Sequence, residues 1–128
     1  MSLLLLFGMG HSWVDAEISD LERRQSEKVK ALVDTGATLT VLPKALADKI
    51  GIKALAEREV ESGGGIIKLK EGEARIIIKG KEDVTRVLIS DIIDKVLIGV
   101  LVLESLGFSV DPKTGTLKET PLLLYFTK

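Results

Sequence analysis

Residues 30–43, KALVDTGATLTVLP, set one acid inside an otherwise apolar stretch, and no other feature limits the fold so sharply. Ala31, Leu32 and Val33 read as a buried strand, with Asp34 at its mouth and Thr35 and Gly36 directly after. A carboxylate in such a place loses its hydration, so the chain must meet it with hydrogen-bond donors. Gly36 suits that need, because a residue without a side chain can bring its backbone N–H close to the acid. Thr35 adds a hydroxyl able to lock the neighbouring backbone. The sequence therefore calls for a rigid, donor-lined carboxylate where a strand becomes a loop.

The surrounding chain is strand-rich. Residues 12–18 and 29–34 read as a hairpin that feeds Asp34, with the polar run 19–28 as its connector. Residues 38–43 are extended, and Pro43 opens a two-turn helix closed by Gly51. Two strand-like arms flank Gly63, Gly64 and Gly65, and residues 73–90 give a second hairpin across a charged, glycine-containing turn. Residues 94–99 form a short buried strand, residues 100–107 a second short helix ended by Gly107, and residues 108–119 a compact hairpin turning at Asp111-Pro112 and Gly115. These elements predict a mainly β fold, a closed or folded-over barrel with one or two short helices. The 128 residues are expected to form one domain.

Composition narrows the function. A net charge of −1 with no basic run gives no electrostatic case for nucleic acid or an anionic membrane. The chain has no cysteine, which removes disulfides, thiolate nucleophiles and cysteine-bound zinc and fits a cytoplasmic setting. The apolar run at residues 3–7 is shorter than the roughly 7–15 residues of a signal core and the about 20 of a membrane span. Residues 1–8 are read as a tag, a segment before an alternative start at Met9, or an interface strand. No metal or organic cofactor is expected.

A donor-lined carboxylate can act as a general acid or base. Hydrolysis of an amide by water needs both at once, and two carboxylates sharing a proton supply them. This chain holds a single Asp-Thr-Gly and no Asp-Ser-Gly. Asp34 either has no such partner or meets Asp34 of a second copy across a two-fold axis.

The string LVDTGAT, followed later by VLIG and a helix, resembles the retropepsin-like aspartic peptidases, single-domain and homodimeric, over residues 13–117. That resemblance implies an endopeptidase acting on an extended peptide or protein substrate. It implies Asp34 as catalytic acid and base, Thr35 as the grip on its counterpart across the axis, and Gly36 as a backbone contact. Ala37, Gly63, Gly64, Gly65, Ile66 and Gly99 are the expected substrate-binding positions, with Gly63 to Gly65 as the tip of a mobile flap. Leu97, Ile98 and Gly99 are expected to thread behind the active loop.

The departures point to the cellular or prokaryotic branch. Retroviral members often carry an acid shortly after the alanine and an arginine after the later glycine; Leu39 and Val100 leave no such pair here. Ala37 stands where a hydroxyl residue offers the carboxylate one more hydrogen bond, so a pH optimum less acidic than pepsin's is expected. Two rival readings are a peptide-binding or scaffolding module of the same fold, and a structural β domain in which Asp34 merely forms an Asx turn. His11 is expected to have no catalytic or metal role, Trp13 to serve packing or an interface, and residues 20–30 and 79–86 to be solvated hairpin faces. The apolar ends, 3–7 and 122–126, read equally as interface strands or core strands.

Overall fold

The computed structural model describes residues 12–120. The expectations for residues 1–8, His11 and residues 122–126 fall outside them. The first hairpin joins β1 (Ser12–Ser19) to β2 (Ser26–Val33), with Ser12 opposite Val33 and Ser19 opposite Ser26. Its loop is shaped by Asp20, whose Oδ1 accepts the N–H groups of Arg24 at 2.8 Å and Gln25 at 3.0 Å. Ser26, Glu27 and Lys28 thus belong to the strand and not to the connector. They extend it with a charged face toward water, where the apolar signal stops but the backbone pairing does not.

The chain continues through β3 (Thr40–Pro43), α1 (Lys44–Lys49), β4 (Ala56–Ser62), β5 (Gly65–Ile78), β6 (Lys81–Ser90) and β7 (Leu97–Ile98). It ends in α2 (Val100–Leu106), β8 (Phe108–Val110) and β9 (Leu117–Glu119). The strand order is β1-β2-β7-β3-β6-β5-β4, and β5 also pairs with β1 through Arg75–Ile77 against Glu17–Ser19. The sheet is therefore folded over on itself, with β4 outside the circuit. Ile18, Leu42, Ile50, Ile76, Ile78 and Ile98 fill its interior, with Leu103 of α2 and Phe108 packed among them. Pro43 precedes α1 in extended backbone, and Gly107 ends α2 at φ 81. No helix of the described residues is long and apolar enough to cross a membrane.

The largest departure from expectation lies in β5. The arm after Gly65 and the first strand of the hairpin at residues 73–90 were expected as separate strands, but residues 65–78 run as one. It pairs with β4 over Gly65–Glu71 and with β6 over Lys70–Ile78. Gly72 is not a turn. A Cβ there would lie 2.7 Å from the Lys53 carbonyl oxygen, so glycine admits the crossing segment after α1.

Candidate active site

The Asp34 loop is held from behind by β7 and the start of α2. The N–H groups of Leu32 and Asp34 donate to the carbonyls of Val96 and Ile98, both at 2.9 Å. Ala37 N–H closes the turn on the Asp34 carbonyl at 3.1 Å; Val100 and Leu101 N–H then donate to the carbonyls of Ala37 and Thr38 at 2.8 and 3.1 Å. Gly99 N–H donates to Thr40 Oγ1 at 3.0 Å. Backbone groups of residues 32–40 are thus laced to residues 96–101, and the carboxylate rides on that frame.

Gly99, expected both to thread behind the active loop and to contact substrate, lies behind the loop. It is buried, and a Cβ on it would sit 2.5 Å from Leu39 C and 2.7 Å from the carbonyl oxygens of Leu39 and Thr38. It lets β7 pass under the loop. Thr40, 2% exposed, is the polar partner of that crossing and was not singled out from sequence, where it reads as one more strand threonine.

Asp34 is 1% exposed, while Thr35 and Gly36 beside it are exposed and Ala37 is half-buried. Its Oδ1 accepts the Gly36 N–H at 2.9 Å, and a side chain at Gly36 would press within 3.3 Å of that oxygen. Its Oδ2 is buried and accepts no hydrogen bond among the described residues. Burial pushes the Asp34 carboxyl above its ordinary range, and the Gly36 N–H draws it part of the way back. The acid is thus biased toward its protonated form, with one oxygen fixed and one uncommitted.

The other expected positions lie on a separate element. Ser62 pairs with Gly65, so Gly63 and Gly64 form a two-residue turn and Gly65 is already the first residue of β5. Gly63, Gly64, Gly65 and Ile66 are all exposed, Ile66 at 65%. No cluster of histidine, aspartate and glutamate suited to a metal ion occurs among the described residues. Trp13 lines a surface groove of about 960 Å³ with Val29, Leu46, Ile93 and Val96, and Asp34 is not part of its wall.

A cross-sheet row links the Asp34 strand to the far hairpin. Leu32 faces Leu97, Leu97 faces Val41, Val41 faces Leu88, Leu88 faces Glu71, and Glu71 faces Ala56. Directly paired residues share a sheet face, so this row lies opposite Val33, Leu42, Val87 and Ile98, which enter the core. Glu71 at its end is 3% exposed and accepts from Arg58 Nε and Arg86 Nη1. Arg86 falls in the stretch read as a solvated face, and it is exposed there while its guanidinium also reaches Glu71.

A mainly β sheet folded over on itself, two short helices and an Asp-Thr-Gly turn braced from behind define the retropepsin-like aspartic peptidase fold. Residues 23–113 match the family described as gag-polyprotein putative aspartyl protease, and the chain belongs to that family. The fold is similar to that of the EIAV protease complexed with the inhibitor HBY-793, at TM-score 0.61 and 22% identity over 91% of this chain and 96% of that one. It is also similar to a retropepsin-like aspartic protease from Rickettsia conorii, at TM-score 0.58 and 28% identity over 82% and 87% of the two chains. The simian foamy virus (mac) protease aligns at TM-score 0.54 and 22% identity over 72% and 91%. A search of curated protein sequences returned no match.

Proposed function

We propose that the protein is an aspartic endopeptidase that acts as a homodimer, with Asp34 of two copies meeting across a two-fold axis. The observation that carries this reading is the Asp34 carboxyl, buried beside an exposed Thr35-Gly36 turn with Oδ2 unmatched among the described residues. A second carboxyl, sharing a proton with the first, supplies what that oxygen lacks. One carboxylate takes a proton from water as the water oxygen attacks the scissile carbonyl carbon, and the other gives its proton to the carbonyl oxygen. Collapse of the tetrahedral intermediate then breaks the C–N bond, with the nitrogen leaving protonated.

In this reading Thr35 grips its counterpart across the axis, and Gly36 and Ala37 contact the substrate backbone. The substrate lies as an added strand beneath the β4–β5 hairpins of both copies, touched by Gly63, Gly64, Gly65 and Ile66. The raised Asp34 carboxyl and its single backbone donor support a pH optimum less acidic than pepsin's.

The test is hydrolysis of a mixed peptide library between about pH 3 and 8, at several protein concentrations, beside Asp34→Asn. Cleavage that rises faster than linearly with concentration and disappears in the variant is the expected result. A folded dimer that cleaves nothing at any pH identifies a peptide-binding module instead, and a folded monomer removes both readings.

A further inference from the structure

The Glu71 cluster occupies one particular place in the topology. Strand β5 has β4 as its partner up to Glu71 and β6 from Lys70 onward. Lys70 and Glu71 are the two positions paired with both β4 and β6, so they mark where the hairpin leaves the folded sheet. The Glu71 carbonyl accepts Leu55 N–H at 2.7 Å, and at the next residue Gly72 lies against the Lys53 carbonyl. Backbone and side chain of Glu71 both act at this root.

Its two cations come from opposite directions. Arg58 on β4 faces Leu69, two residues toward the hairpin tip, whereas Arg86 on β6 faces Glu73, two residues toward the barrel. These are diagonal neighbours on one sheet face, within reach of long side chains. Glu71 Oε1 is taken by Arg58 and Oε2 by Arg86. The Glu71 side chain is 4% exposed, while those of Arg58 and Arg86 are 48% and 58% exposed. A buried carboxylate filled on both oxygens by two cations is far more constraining than a surface pair. Neither arginine contacts Asp34, and the Asp34 chemistry makes no use of the cluster.

We propose that Arg58–Glu71–Arg86 is a clamp at the hairpin root that fixes the angle of the β4–β5 arm relative to the barrel, and that Glu71 is thereby a positioning residue for substrate. The clamp itself follows from the strand registers. Its effect on substrate rests on the peptidase reading above. Loosening it leaves the Asp34 loop intact and lets the arm sample more orientations, so substrate binding weakens more than the chemical step slows.

The experiment is amide hydrogen exchange on the full chain for wild type, Glu71→Gln and Arg58→Met, with peptide kinetics on the best library substrate. Exchange over residues 56–70 is expected to quicken by about fivefold or more in both variants, with residues 31–34 and 96–98 unchanged. KM is expected to rise roughly three- to tenfold with kcat within about twofold, and Arg58→Lys to recover part of the loss. Unchanged exchange in the hairpin overturns the clamp, as does a uniform quickening across the whole chain, which marks general destabilisation only. Should Glu71→Gln fail to fold, Arg58→Met decides, since its side chain is half-exposed. Exchange needs no turnover, so absence of cleavage would sink the peptidase reading without touching this result.

Discussion

The molecule buries two carboxylates and treats them in opposite ways. Asp34, 1% exposed, receives one backbone N–H and keeps an oxygen without a partner among the described residues. Glu71, 3% exposed, has both oxygens filled by guanidinium groups. Burial dominates at Asp34 and raises its carboxyl, whereas the Arg58 guanidinium, helped by Arg86, outweighs burial at Glu71 and lowers that carboxyl. Glu71 stands in the cross-sheet row that starts at Leu32, two residues before Asp34. The lesson is that burial alone does not make a reactive acid. Reactivity needs burial with a proton left to negotiate, and saturation with charge removes that freedom.

The sharpest way to break the comparison is to neutralise each acid in turn. Asp34→Asn is expected to lower peptide cleavage by about 10³-fold or more without unfolding the chain, as read by turnover and circular dichroism. Glu71→Gln is expected to leave cleavage measurable. Equal losses in the two variants would erase the distinction.

Glycine behind each acid gives the next largest effect. Gly99→Ala sets a Cβ 2.5 Å from Leu39 backbone and is expected to cost about 3 kcal/mol in urea unfolding. Gly72→Ala meets one backbone atom, Lys53 O at 2.7 Å, and is expected to cost about 1–2 kcal/mol.

Stability against pH should then separate the acids by sign. The folded state holds the Asp34 proton more tightly than the unfolded one, so the Asp34 contribution turns unfavourable as pH rises from near the free value of 3.8 through the raised one. Asp34→Asn therefore gains over wild type toward neutral pH. Glu71 behaves inversely: its contribution is present above the free value of 4.5 and is lost as pH falls through the lowered one. Glu71→Gln is expected to melt below wild type near neutrality and to converge with it in acid. Thermal melts across that range check both slopes. A smaller effect is expected for Thr40→Val, which removes the acceptor for Gly99 N–H and should cost about 1–2 kcal/mol by denaturant titration.

Sequence made the Asp34 side of this comparison legible and left the Glu71 side hidden. The Asp34 turn is local: an apolar run, the acid and Gly36 lie within six residues, and their chemistry is mutually required. Pro43 and Gly107 marked the helices for the same reason, since each acts on its own backbone. Glu71 depends on Arg58 and Arg86, 13 and 15 residues away, which become neighbours only once three strands are in register. The close approaches at Gly72 and Gly99 were hidden for a related cause. A glycine that breaks a strand and one that admits another segment look identical until the crossing chain is known.

Strand β4, last in the sheet order, has one further consequence. Among the described residues its outer edge has no strand partner, and such an edge is the usual seed of edge-to-edge aggregation. Glu57, Glu59 and Glu61 are exposed along it, while Arg58, the one cation there, is occupied by Glu71. Two such edges repel each other. At high concentration the protein is thereby protected against growth into ribbons, while the same edge stays open to a strand that carries no matching acids.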